Sequence, residues 1–181
     1  MDKTKKINKF TNLSKSIDSY DSREDYDKAI DEYSNALLRT QSNLQIALES
    51  LRACHWSMLG HRFISVHPFF DSLFDLLDSE VDFFAEYLAL NNVPPITNFN
   101  HVLANNELPA SDIDEGFVSV SHGALTASVL ISGLEEQLEE TYAYAGEVND
   151  HRIQSHIDST LESLDHYAYF FDKEIVDTDN V

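Results

Sequence analysis

The sequence predicts an all-α chain with four long amphipathic helices, one long connection in the middle and an N-terminal extension. Three observations carry this. Apolar residues recur at spacings of three and four through four separate stretches, which is the period of a helix with one buried face. Only five glycines and four prolines interrupt 181 residues. Two of those prolines, Pro94 and Pro95, fall together in the central break. With 43% hydrophobic residues, a chain of this length makes one domain around a single core.

Residues 1–22 read as a basic N-terminal extension, a tail or an appended helix outside the bundle, and residues 23–181 as the bundle domain. Within the extension Ile7, Phe10, Leu13 and Ile17 are spaced for a short amphipathic helix. The first long helix carries Tyr33, Leu37, Leu44, Leu48, Leu51, His55 and Met58 on one stripe, and Gly60 is placed to stop it. A second runs from near Ser65 through Phe70, Leu73, Leu77, Val81, Phe84 and Leu88 to about Asn91, where Asn-Asn-Val-Pro-Pro ends it. Residues 96 to about 116 form a crossover, with a short helix around Asn98 to Asn105. A third helix, from about Phe117 to Glu147, repeats Leu125, Leu134, Leu138, Tyr142 and Ala145. The fourth, His151 to Val176, uses Ile153, Ile157, Leu161, Leu164, Ala168, Phe171 and Ile175. Four such helices with the long link between the second and third describe a ferritin-like bundle.

Thirty-two acidic residues face 12 Lys and Arg, a formal net charge of −20. Such a surface repels nucleic acid and anionic membranes and attracts cations. Cys54 is the single cysteine, which excludes an intramolecular disulfide and fits a buried free thiol in a reducing compartment. No apolar run follows the N-terminal lysines as a signal peptide requires, and none is long enough to span a bilayer. The expectation is a soluble, cytoplasmic protein.

The chemistry concentrates between His55 and Glu86. His67 and Asp71 are four apart, as are Asp82 and Glu86, so each pair shares one side of a helix. Asp71 to Asp82 is about three turns, which puts His67, Asp71, Asp78, Asp82 and Glu86 on one stripe. Two pairs separated by about 16 Å along a helix cannot grip one ion within a single chain. Two subunits laid antiparallel about a twofold axis bring the first pair of one to the second pair of the other, and generate two equivalent sites. Imidazole with carboxylate suits iron, and His55 on the neighbouring helix completes the first half. None of the eight histidines follows a Glu by three residues, so the Glu-x-x-His di-iron site within one bundle is not expected.

The run His-Trp-Ser-Met-Leu-Gly-His-Arg-Phe-Ile-Ser-Val-His-Pro-Phe-Phe-Asp, continuing to Asp82 and Glu86, resembles the signature of the Dps family, the DNA-binding proteins from starved cells. The likeness extends through Val93-Pro94, returns at Leu164-Asp165-His166 to Phe171, and covers roughly residues 33–175. It implies a homododecameric shell that oxidises Fe(II) with hydrogen peroxide or oxygen and stores ferric iron. By the same resemblance His55, His67 and Asp71 come from one subunit, Asp82 and Glu86 from its partner, and Trp56 lies near the iron as an electron donor.

The resemblance also implies acidic iron-entry pores near the start of the last helix. Glu147, Asp150 and Asp158 lie there, although an unbroken alignment puts Gly146, His151 and Ser155 at the expected positions. Finally, Lys3, Lys5, Lys6, Lys9 and Lys15 contrast with the acidic body. Dps proteins often bind DNA non-specifically through such N-termini, by salt-sensitive phosphate contacts. That implies a nucleoid-associated shell protecting DNA from oxidative damage. The alternative is a DNA-binding shell with weak or absent ferroxidase activity.

Overall fold

The computed structural model describes residues 9, 10, 13, 19–108 and 116–176. Among them the elements are α1 (Arg23–Ser57), β1 (Met58–Leu59), α2 (Phe63–Leu90), α3 (Phe99–Asn105), β2 (Val118–Ser119), α4 (Val120–Glu147) and α5 (His151–Val176). The all-α, ferritin-like bundle and the short crossover helix are as the periodicity predicts.

Local chemistry sets the helix ends. Ser22 caps α1, its hydroxyl accepting from the Asp25 amide at 3.1 Å, with Glu24 and Asp25 in the positive first turn. At the other end the chain turns extended at Met58, and Gly60 takes φ 125°, which an L side chain rarely adopts. Arg62 enters α2 at φ 67°. Asn98 and Ser119 cap α3 and α4 through their side chains.

A feature no helical pattern reveals ties the bundle at one end. Met58 and Leu59 pair in parallel with Val118 and Ser119, so α4 starts where α1 stops. The crossover must therefore return along the bundle, and α1 grips it on the way. Gln41 donates from Nε2 to the Ile96 carbonyl (2.9 Å) and accepts the Ile96 amide (3.0 Å). Asn43 accepts the Glu107 amide at 2.9 Å. Gly123 permits the close approach at the bridge, because a Cβ there would sit 2.8 Å from the Met58 sulfur.

Leu37, Leu44, Leu51, Phe70, Leu73, Leu77, Phe84, Leu138, Ile153, Ile157 and Leu164 are fully buried. Leu125, expected in the core, is 48% exposed, and Ala124 and Ala127 are buried instead. From Leu125 to Leu134 is nine residues, or two and a half turns, so the two point to opposite sides of α4.

The N-terminal extension also departs from its sequence expectation. It does not lie wholly outside the bundle: Phe10 is 1% exposed, with its ring 5.0 Å from Tyr33 and 6.4 Å from Tyr87. Its amide donates to the Asn91 carbonyl at 3.2 Å. Its φ of 50° also rules it out of the amphipathic helix read there. Ile7 and Ile17 lie outside the described residues.

Cys54 is free and fully buried. Burial pushes its thiol up to about 11, against a lowering hydrogen bond from Thr126. The thiolate is the reactive form. Cys54 should therefore resist a disulfide reagent at pH 8 in the native protein and react fully in denaturant; equal rates in both would contradict this burial.

Candidate metal centre

The last turn of α1 and the first turns of α2 face each other across the Gly60 turn, which brings His55 against His67. Their rings stack at 3.9 Å between centroids, 21° from parallel. Phe63 lies 4.6 Å from the His67 ring, and Phe74 meets His55 edge-on at 5.1 Å. Asp71, one turn beyond His67, presents Oδ1 3.6 Å from His55 Nε2. One ligand atom from each of His55, His67 and Asp71 can be chosen so that all lie within 4.8 Å of one another. It is the one such group of three among the described residues.

The electrostatics favour a cation. Burial holds the His55 imidazole below its usual pKa; His67 acts the same way and Asp71 against both. A neutral imidazole keeps a lone pair to offer. The Nδ1 atoms of His55 and His67 are both buried without a hydrogen-bond partner, an uncompensated cost that a bound ion or a neighbouring subunit would remove. Asp71 remains exposed, its side chain at 59%, so the cluster opens outward.

Asp82 and Glu86 are not part of this group. Both are exposed and one turn apart on α2, Asp82 about 16 Å and Glu86 about 22 Å along its axis from Asp71. Asp82 lines a groove of about 660 Å³ between α1, α2 and the crossover, with Gln41, Asp75, Asp78 and Pro95. Trp56, beside His55, is 72% exposed.

Two residues here lie outside the sequence motif. Arg52 stands among the acids of this face, 2.7 Å from Glu49 and 3.9 Å from Asp78. Glu80 is 6% exposed, and its carboxylate meets His156 Nε2 at 2.7 Å, with the imidazole stacked 3.5 Å from Phe83. A usable signal existed, since Glu80 shares the helical phase of Leu73, Leu77 and Phe84.

Of the acids considered for a pore, Glu147 and Asp158 are exposed, but Asp150 is not available. It is 2% exposed, takes hydrogen bonds from the hydroxyls of Tyr33 and Tyr87, and its Oδ1 caps α5 at the Ile153 amide, 3.4 Å away. A carboxylate so engaged inside the bundle lines no channel. Lys9 forms an ion pair with Asp31 at 2.9 Å, and Lys3, Lys5, Lys6 and Lys15 lie outside the described residues. Among the described residues no helix is long and apolar enough to cross a membrane.

No protein-family model matches the sequence, and no curated protein does. Solved structures do match. Dps from Staphylococcus aureus is 21% identical, with 80% of this chain and 95% of that one covered at a TM-score of 0.73. Antigen TpF1 from Treponema pallidum is 18% identical, covering 82% and 94% at 0.76. A Dps protein from Vibrio cholerae O1, described as a member of a broad superfamily of ferritin-like diiron-carboxylate proteins, is 18% identical, covering 82% and 91% at 0.74. The helix order, the crossover and these superpositions lead to one conclusion: the chain has the fold of the Dps proteins.

Proposed function

We propose that this protein is a Dps-type mini-ferritin, which oxidises Fe(II) at sites shared between subunits and stores ferric iron in a homododecameric shell. The observation that carries the reading is the cluster of His55, His67 and Asp71 with two unpartnered buried imidazole nitrogens. It is half of a site. The second carboxylate pair, Asp82 and Glu86, is out of its reach on the same helix and within reach of a twofold partner.

Fe(II) is the substrate. Two Fe(II) ions give the two electrons that reduce one hydrogen peroxide to two waters; oxygen is the other candidate acceptor. The chain's own groups bind and orient: neutral imidazoles donate lone pairs, and carboxylates balance the charge gained on oxidation. Exposed Phe99, Leu103 and Leu90 (58%, 53% and 68%) give the neighbouring subunit an apolar surface to cover.

Light scattering should give twelve times the 20.6 kDa chain mass, and aerobic incubation with Fe(II) should leave ferric iron co-eluting with that particle. A monomer or dimer that holds no iron refutes the shell.

The DNA-binding part of the proposal rests on the basic extension and the family resemblance. Because Phe10 is buried, the informative truncation starts at residue 9. It removes Lys3, Lys5 and Lys6 but keeps the packed segment. We expect it to lose salt-sensitive DNA retardation while oxidising Fe(II) normally; retained retardation excludes those lysines. Nucleoid association in the cytoplasm belongs to this same proposal.

A further inference from the structure

The polar triad at the far end of the bundle has no part in the proposed iron site. A single Asp150 oxygen, Oδ2, accepts from the hydroxyls of both Tyr33 (2.9 Å) and Tyr87. Tyr33 is fully buried, Tyr87 is 8% exposed, and Phe10 packs over both rings. Capping α5 uses the other oxygen, Oδ1, so the cap explains neither phenol. Tyr87 directly follows Glu86, and its ring lies parallel to Phe83, 6.1 Å away, next to Asp82. The phenol thus occupies the core side of the turn whose outer side carries the two proposed iron carboxylates. A helix with its side chains is only about 10–12 Å across.

We infer that Tyr87 is a redox-active residue, giving one electron to hydrogen peroxide at iron bound by Asp82 and Glu86 while its proton passes to Asp150. This rests on the proposed iron site. Reducing peroxide to two waters takes two electrons and two protons. A lone Fe(II) supplies one electron and becomes Fe(III). The second leaves Tyr87 as its O–H bond breaks, the proton crossing the existing hydrogen bond to Asp150. The products are Fe(III), a neutral tyrosyl radical, protonated Asp150 and two waters, with two protons drawn from solvent. Tyr33, on the same oxygen, holds that carboxylate in place. The device keeps peroxide from being reduced by one electron alone, the step that releases hydroxyl radical.

The test is freeze-quench electron paramagnetic resonance on the full-length protein, given less than one Fe(II) per site and then hydrogen peroxide. Fe(II) consumption is followed in parallel. The expected result is a tyrosyl signal that narrows when the eight tyrosines are ring-deuterated. It should be lost in Tyr87→Phe and kept in Tyr169→Phe, a residue 58% exposed. Should Tyr87→Phe not fold, wild type still decides: in D2O the radical should carry one strongly hydrogen-bonded exchangeable deuteron, and a radical without one overturns the inference. Fe(II) oxidation with no tyrosyl signal, a signal indifferent to tyrosine deuteration, or one surviving in Tyr87→Phe overturns it alone. Failure to oxidise Fe(II) at all overturns the iron site and this inference together.

Discussion

Two inactive variants of this protein should restore each other when they are folded together. The first, His55→Ala with His67→Ala, keeps the Asp82 and Glu86 pair. The second, Asp82→Asn with Glu86→Gln, keeps the histidines. Losing even an outer partner of a metal ligand costs 10–100-fold in affinity or activity. Removing two ligands should therefore slow initial Fe(II) oxidation by about 100-fold or more. In a mixed twofold dimer, one seam site collects both defects and the other collects none. Random pairing makes half the dimers mixed, so about a quarter of all sites, and of the wild-type rate, should return. The rate of ferric absorbance growth reads this directly. A mixture as inactive as its parents would place the centre inside one chain, or elsewhere. If the first variant alone kept wild-type kinetics, the His55–His67–Asp71 cluster would have no part in the chemistry.

How much of this arrangement the sequence discloses follows from the range of each signal. His67 and Asp71 are neighbours because helices place residues four apart on one face, and α2 does form there. That His55 stacks on His67 at 3.9 Å depends on the Gly60 turn, which spacing can suggest but not aim. Long-range features are where local pattern fails. The pairing of Met58 with Val118 spans two residues and leaves no periodicity. Phe10 reads as surface helix because its partners, Tyr33 and Tyr87, are distant in sequence. Leu125 reads as core on hydrophobicity alone, against its phase. Asp150 shows the opposite error: the family resemblance implies acidic pores near the start of α5, whereas here two remote tyrosines give its carboxylate a buried place.

That buried place predicts a large stability effect. Asp150→Ala strips the hydroxyls of Tyr33 and Tyr87 of their acceptor and removes the side-chain cap of α5. Each buried hydroxyl left unpaired costs about 1–3 kcal/mol, and a lost cap about 1 kcal/mol. Relief from burying a carboxylate offsets part of this, which favours the lower half of the range, about 3–4 kcal/mol. At about 2–4 °C per kcal/mol for a chain of this size, the unfolding midpoint should drop by about 10 °C at fixed protein concentration. Tyr33→Phe leaves Asp150 bonded to Tyr87 and should cost only about 1 kcal/mol. The two variants also separate in alkali. Burial, reinforced by the nearness of Tyr87 and Asp150, raises the Tyr33 pKa well above the ordinary range, and burial with the Asp150 hydrogen bond raises that of Tyr87. The folded chain then holds protons that the unfolded chain releases above about pH 10. Their contribution is complete below that pH and falls as pH rises, by about 1.4 kcal/mol per unit for each tyrosine. Tyr33→Phe should flatten that alkaline slope by one tyrosine's share. An unaltered slope would mean that the Tyr33 hydroxyl reaches solvent and that Asp150 is not its partner.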